Sequence, residues 1–136
     1  MRRLKNEGDT HAFTKEMILR NHGLWVVKGK GYKWISVKPE NISTEVPWEE
    51  KGYTSKADMY IVDDEGNGYY IEIMVRNKID RNIKSMLYDR NKCIIIDLTS
   101  DDISTNEPYK KVEELLYKSD RVMFLGDYLK KKKKTK

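Results

Sequence analysis

The sequence predicts an α/β fold, a mixed β-sheet flanked by helices, and two stretches carry this prediction. Residues 56–76, KADMYIVDDEGNGYYIEIMVR, place two apolar runs around the acidic, glycine-containing turn 63–68, which is typical of a β-hairpin. Residues 79–98 then combine an amphipathic helix with the apolar run Cys93–Leu98, which is typical of a buried parallel strand. A strand, a helix and a second strand predict a right-handed βαβ crossover. The helix pattern consists of Ile79, Ile83, Met86 and Leu87.

The first element along the chain is predicted to be a helix that begins at about Asn6 or Asp9 and ends at Asn21. Asparagine and aspartate are favourable N-caps, and Gly23 is a natural stop. The apolar residues of this segment spread widely around the helix, so we expect substantial burial.

Two strands are predicted next, at Leu24–Val27 and at Tyr32–Val37, and a glycine-containing turn connects them. Pro39 and Pro47 then make residues 38–50 irregular or edge-like, because proline cannot donate to a β-ladder. The central hairpin follows this region.

The end of the chain is predicted to contain a third helix near Pro108 and a last short strand at Val122–Leu125. Gly126 precedes a lysine-rich tail. We therefore expect a single domain over residues 1–126 and a basic tail over residues 127–136, since 136 residues suffice for one modest core.

The net charge of +5 is a local property of the chain. Six lysines lie between Lys130 and Lys136, and without them 21 basic residues face 22 acidic ones. Such a run is either a solvated or disordered end or a sequence-independent contact with nucleic-acid phosphates. The lysines that would make this contact are Lys130, Lys131, Lys132, Lys133 and Lys134.

The lone cysteine, Cys93, excludes an intramolecular disulfide and a cysteine-based zinc site. No segment approaches the roughly 20 apolar residues of a membrane span, and the N-terminus lacks an apolar signal region. We therefore expect a cytoplasmic protein that does not bind membranes.

The central hairpin carries two acidic residues on one face. If the hairpin folds about Glu65, Asp58 lies almost opposite Glu72, because side chains alternate between the faces of a strand. Two carboxylates a few ångström apart are the minimal equipment for holding a divalent cation. The hairpin therefore predicts a metal site.

Three motifs resemble the PD-(D/E)xK nuclease superfamily, and within it the competence-protein CoiA-like members. The first is E-x3-H-x3-K on the first helix, the second is a K-x-D strand motif, and the third is IEI-x-V followed by N-x-x-D. They correspond to Glu7, His11 and Lys15, to Lys56 and Asp58, and to residues 71–80, and Ile94–Leu98 matches the strand that follows. The resemblance covers residues 7–100.

This resemblance implies an α-β-β-β-α-β core and metal-dependent hydrolysis of DNA phosphodiesters. It implies that Asp58 and Glu72 bind Mg²⁺ or Mn²⁺, that the backbone carbonyl of Ile73 adds a third ligand, and that Glu7 assists from the helix. His11 and Lys15 would share this site, because Glu7, His11 and Lys15 lie within an arc of roughly 80° on a helix.

The departure from the superfamily pattern is Met74, which stands where those nucleases carry a lysine two residues after the second acid. Methionine cannot donate a hydrogen bond to a developing anion. Lys15 or Lys56 would stand in for it, since both point to the same face, whereas Lys78 lies past the end of the strand.

Two other classes of function stay open from the sequence. The first is a catalytically inactive nuclease-fold domain that binds nucleic acid or a protein partner, as an accessory factor of a mobile element or as an inhibitor. The second is a structural or assembly protein whose acids are only surface charges. Trp25, Trp34 and Trp48 either stack on bases or pack in the core and edge strands. Nucleases of this fold often dimerise, and the sequence leaves the oligomeric state open.

Overall fold

The computed structural model describes residues 7–50, 53–74, 92–98, 108–117 and 120–134. A mixed α/β fold is confirmed within this part of the chain. Its elements are α1 (Glu7–Asn21), β1 (Gly23–Lys28), β2 (Gly31–Glu50), β3 (Tyr53–Asp63), β4 (Gly68–Met74), β5 (Cys93–Asp97), α2 (Pro108–Tyr117), β6 (Val122–Phe124) and α3 (Leu125–Lys134). None of these helices is long and apolar enough to cross a membrane.

The strands of the described residues form one closed barrel in the order β1-β2-β3-β4-β5-β6. Strands β1 to β4 are an antiparallel meander, β5 lies parallel to β4, and β6 lies antiparallel to β5. The barrel closes where β6 meets β1 in parallel, at Val27 and Met123. The parallel pairing of Cys93–Asp97 is confirmed, whereas the closure was not predicted. The helix predicted over Ile79–Leu87 lies outside the described residues.

The interior of the barrel is filled by alternate residues of every strand, as a side-chain period of two requires. Helices α1 and α2 add apolar side chains to the same core. Its members include Met17, Ile18, Leu24, Val26, Ile35, Val37, Met59, Ile61, Tyr69, Ile71, Ile73, Ile94, Ile96, Val112, Leu116, Val122 and Phe124. Each fully buried aliphatic side chain contributes roughly 1.5–3 kcal/mol to folding, so this cluster is the main source of stability.

Helix α3 packs on the outside of the barrel and includes residues that were predicted to form a basic tail. Tyr128 is fully buried and Leu129 is 9% exposed, so the start of this segment is packed, whereas Lys130, the first residue of the lysine run, is exposed. The boundary predicted at residue 126 falls inside this helix. The cluster beneath α3 contains Met74, Cys93, Ile95, Met123, Leu125, Tyr128 and Leu129.

Strand β2 runs through residues 38–50, which were predicted to be irregular or edge-like, and among the described strands this half of β2 pairs with β3 alone. The chain is irregular only where the register with β3 shifts, between Val37 and Ile42, and then pairs regularly to Glu50. Pro47 is tolerated because this half of β2 pairs with β3 alone, so the missing amide costs no ladder bond on the other side.

The β3–β4 turn is held by the carboxylate of Asp63, which is buried at the end of β3. Asp63 Oδ1 accepts the backbone amides of Glu65 at 3.0 Å and Asn67 at 2.8 Å. Burial by itself would raise the pKa of Asp63, but the hydrogen bonds from Asn67 and Glu65 and the charge of Lys33 hold it below its ordinary value. The carboxylate therefore stays ionised and fixes the turn.

Helix α1 ends at Asn21, as predicted, and the chain reverses through two residues of positive φ. His22 has φ 57° and Gly23 has φ 150°. The carbonyl of His22 accepts the amide of Val37 at 2.9 Å, and that of Gly23 accepts the hydroxyl of Tyr117 at 3.0 Å. Burial raises the pKa of Tyr117 to about 12, so this tie between α2 and β1 stays protonated.

We expect Gly23→Ala to lower the free energy of unfolding by at least about 2 kcal/mol. A Cβ at this position would lie 2.3 Å from the carbonyl oxygen of Ile35 and 2.7 Å from the Trp34 ring. Gly31→Ala is the matched control, because nothing lies within 4 Å of its Cβ position, and it should change stability by less than about 0.5 kcal/mol. Urea unfolding of both variants measures the difference, and equal losses would contradict the tight packing at Gly23.

Candidate active site

The predicted site is built around the carboxylate of Asp58, where β3 and β4 stop pairing through their backbones. Cross-strand pairs run from Val62 and Gly68 to Met59 and Ile71. Beyond them the amide of Ile73 donates to Asp58 Oδ2 at 2.7 Å. The side chain of Asp58 has thus taken the place of a strand carbonyl, which fixes its orientation at the end of the ladder.

The second acid, Glu72, is set by the same register. Met59 lies opposite Ile71, so extending the register by one residue puts Asp58 opposite Glu72. This agrees with the predicted fold of the hairpin about Glu65. Glu72 is 8% exposed and lies beside Ile95 of β5, so it is far less accessible than a surface acid.

His11 of α1 completes the part of the site that the structure describes. Its Nδ1 lies 3.6 Å from Asp58 Oδ1, a distance at which a protonated imidazole attracts the carboxylate but does not form a strong hydrogen bond. The side chains of His11 and Asp58 are 21% and 17% exposed, so both reach solvent. The structure therefore brings His11 and Asp58 together, and their membership of a shared active site stays a prediction.

The structure describes the other predicted site residues in less detail. Lys15 lies one turn after His11 on α1 and is partly buried. Glu7 lies in the first turn of α1 and Lys56 in β3, but their side chains lie outside what the structure describes. Their participation stays a prediction, and Lys78 and the N-x-x-D motif at residues 77–80 lie outside the described residues.

Ile73 enters the site in a way that the sequence did not predict. We expected its carbonyl to bind a metal, and the structure shows its amide donating to Asp58. A hydrogen bond that orients a candidate ligand is the kind of support that metal-binding carboxylates usually have. Only the predicted strand register could have indicated this hydrogen bond, because a motif specifies side chains and not backbone amides.

The surroundings of Met74 disfavour a lysine at this position. Its side chain is 2% exposed and belongs to the apolar cluster beneath α3. Met74 shares a strand face with Glu72, so a lysine here would place its ammonium group under a helix that contributes Leu125 and Tyr128. The fold has made this position part of the core.

The donor chemistry of the described residues limits the kind of metal site that they can form. Within the described ranges, no group of three or more His, Cys, Asp and Glu side chains is arranged to hold a metal ion. Magnesium, however, is commonly bound by one or two carboxylates together with waters and substrate phosphates. Asp58 and Glu72 fit that donor set, because a carboxylate that accepts one amide keeps further lone pairs.

The lysines predicted to contact nucleic acid lie on α3, and the tryptophans for which base stacking or packing stayed open lie elsewhere. Lys130 is exposed near the middle of α3, and Lys131, Lys132, Lys133 and Lys134 continue this helix, with side chains outside what the structure describes. Trp25 and Trp34 lie on the outside of the barrel, 46% and 36% exposed, with ring centroids 5.2 Å apart. The side chain of Trp48 also lies outside the described set.

We expect Asp58→Ala to lower the free energy of unfolding by about 1–2 kcal/mol, because the Ile73 amide loses its acceptor. Asp58→Asn should lose less than half of this, since its amide oxygen still accepts the bond. Asp64→Ala is the matched control, because Asp64 is exposed in the neighbouring turn, and it should be near neutral. Thermal unfolding compares the three, and a neutral Asp58→Ala would contradict a structural role for the bond.

We expect Met74→Lys to cost about 3–5 kcal/mol of stability, because it leaves an uncompensated charge in the cluster beneath α3. Met74→Leu preserves volume and polarity and should cost less than about 1.5 kcal/mol. Urea unfolding measures both. A Met74→Lys protein as stable as Met74→Leu would show that this side chain can reach solvent.

Comparisons of the chain with protein-family models, with curated proteins and with solved structures found no match. The resemblance to the PD-(D/E)xK superfamily therefore depends on the three motifs and on the geometry of the residues that they contain.

Proposed function

We propose that the protein is a metal-dependent DNA nuclease of the PD-(D/E)xK type. The observation that carries this proposal is the position of Asp58, held by the Ile73 amide at 2.7 Å, approached by His11 at 3.6 Å, and opposite Glu72 in the hairpin register. The resemblance implies that metal-dependent phosphodiester hydrolysis uses acids on two neighbouring strands and a helix that approaches them from one side.

The strand order gives further support. Helix α1 precedes the antiparallel strands β2, β3 and β4, and β5 then lies parallel to β4. These elements are compatible with the α-β-β-β-α-β order that the resemblance implies. The helix predicted between β4 and β5 lies outside the described residues. The additional strands β1 and β6 close the sheet.

The proposed mechanism assigns a separate task to each side chain. Asp58 and Glu72 would hold Mg²⁺ or Mn²⁺, which when bound polarises the phosphoryl group and lowers the pKa of a water. The Ile73 amide keeps Asp58 oriented, so the site needs little reorganisation. His11 is placed to hold or release a proton beside Asp58.

The positive charge of the missing superfamily lysine is assigned to Lys15 or Lys56. Lys15 lies on the same helix as His11, and Lys56 precedes Asp58 by two residues on β3. DNA is the proposed substrate, and the exposed Lys130 with the lysines that follow it would add affinity without sequence preference.

One observation favours a second candidate, a nuclease-fold domain that has lost catalysis and kept binding to nucleic acid or to a protein partner. Met74 is buried beneath α3, so the strand that carries Glu72 offers no cation at the usual position. Under this alternative the metal, the acids or both would serve binding alone.

A Mn²⁺ titration with a nuclease assay tests the proposal. Mn²⁺ at 100 times its dissociation constant should stabilise the wild type by about 2.7 kcal/mol, and the protein should cleave single-stranded, duplex or branched DNA. Glu72→Gln should abolish the thermal shift and reduce cleavage at least a hundredfold, which corresponds to about 2.7 kcal/mol of transition-state stabilisation. Glu113→Gln is the control, because Glu113 is exposed on α2.

The outcomes separate the candidates. A thermal shift that disappears in Glu72→Gln, together with intact DNA, would favour the inactive binding domain. If Mn²⁺ leaves the melting temperature of the wild type unchanged, both metal-dependent explanations are wrong.

A further inference from the structure

A pocket of about 330 Å³ opens at the end of the barrel away from Asp58. Four lysines from distant parts of the chain converge on it: Lys28 of β1, Lys33 of β2, Lys92 before β5 and Lys130 of α3. We name these four residues the lysine mouth. Its other lining residues are Asn67, Gly68, Tyr69, Phe124, Gly126 and Asp127.

The position of the lysine mouth follows from strand alternation. On β1 the inward-facing core residues Leu24 and Val26 are followed two residues later by Lys28. Lys33 stands in the same relation to Ile35, and Lys92 to Ile94. Three strands therefore replace an apolar inward position by lysine at the same end of the barrel. The mouth of a β-barrel is also a common place for ligands.

The charges in this pocket do not balance. Asp127 lines the pocket and accepts the Gly29 amide at 3.3 Å, and Asp63 lies within the electrostatic reach of Lys33. Asp127 is thus the one carboxylate among the lining residues beside four ammonium groups, and counting Asp63 gives two against four. Like charges that converge on one concavity repel each other, so an anion bound between them would be stabilised.

The backbone at the rim favours the same kind of ligand. Helix α3 begins at Leu125, and the first amides of a helix lack intrahelical acceptors and carry a partial positive charge. Gly126 lies in this first turn and lines the pocket together with Asp127. Phosphate is the anion that suits lysines combined with a helix start.

The walls of the pocket suggest more than inorganic phosphate. Tyr69 and Phe124 line it, with ring centroids 6.0 Å apart, and both belong to the core. An apolar wall beside a cationic rim suits a ligand with a planar ring and a phosphate group. The volume is at the small end of the range for ligand pockets, which suits one nucleotide and not a duplex.

We propose that the lysine mouth binds the phosphate of a nucleotide, either free or at the end of a nucleic-acid strand. This proposal does not depend on the nuclease function, since the pocket and Asp58 lie at opposite ends of β4. Binding requires no divalent cation, because the lysines themselves supply the positive charge.

The test measures binding of pyrophosphate and of a hexanucleotide, with and without a 5′-phosphate, by calorimetry in a chelator-treated buffer. We expect saturable binding of pyrophosphate and tighter binding of the phosphorylated hexamer than of its hydroxyl form. Lys33→Gln and Lys92→Gln should each weaken binding about tenfold, the effect of losing one charge-assisted hydrogen bond. Lys38→Gln, on the exposed part of β2, is the matched control and should bind like the wild type.

A second measurement keeps the test independent of the variants. Amide resonances of Gly29, Gly68 and Gly126 should shift with pyrophosphate in the wild-type protein, and that of Ile73 should not. If pyrophosphate binds but the phosphorylated hexamer binds no more tightly than its hydroxyl form, the proposal holds and the ligand is a free nucleotide and not the end of a strand. Absence of saturable binding, or equal weakening in Lys38→Gln, would overturn it, whatever the nuclease assay shows.

Discussion

The register of the β3–β4 hairpin is the constraint on which the barrel and both of its ends depend. Asp63 sets it, because its carboxylate accepts the amides of Glu65 and Asn67 while its own amide donates to the Asn67 carbonyl at 2.9 Å. A slip of one residue would exchange the two faces of the strand. It would turn Ile71 out of the core and move the Ile73 amide away from Asp58. The buried carboxylate of Asp63 therefore helps to position Asp58 and the Ile73 amide at the far end of the hairpin.

Closure of the sheet separates the apolar middle of the barrel from its two polar ends. The middle positions of the strands are occupied by residues such as Ile61 and Ile94, which exclude water. One end carries Asp58 and His11 beside α1, and the other carries the lysine mouth. About 17 Å of β4 separates Gly68 from Ile73, at the usual rise per residue of a strand. Asp58, Glu72 and His11 therefore lie away from the residues of the lysine mouth.

The sequence predicted the features of the fold that depend on local residue patterns. It did not predict the features that depend on contacts between distant segments. Proline at the first helical position predicted the start of α2 at Pro108, and a glycine stop predicted the end of α1. Strand alternation about the turn predicted that Asp58 and Glu72 lie opposite each other. The barrel closure depends on one parallel contact between Val27 and Met123, and no local pattern reports it. Helix α3 was missed because the charge of the lysine run outweighed Tyr128, whose burial depends on a surface that only the folded barrel provides.

The same reason explains why a motif could name the acids of the candidate active site but not the backbone group that supports one of them. Motifs name side chains, so they pointed to Asp58 and Glu72 but not to the Ile73 amide that holds Asp58. Met74 looked like a lost catalytic group in the sequence, whereas the barrel makes it a core residue beneath α3. A lysine at position 74 would disrupt the apolar packing beneath α3. Under the proposed function, the cation that replaces this lysine would approach from the side of α1, where His11 lies 3.6 Å from Asp58.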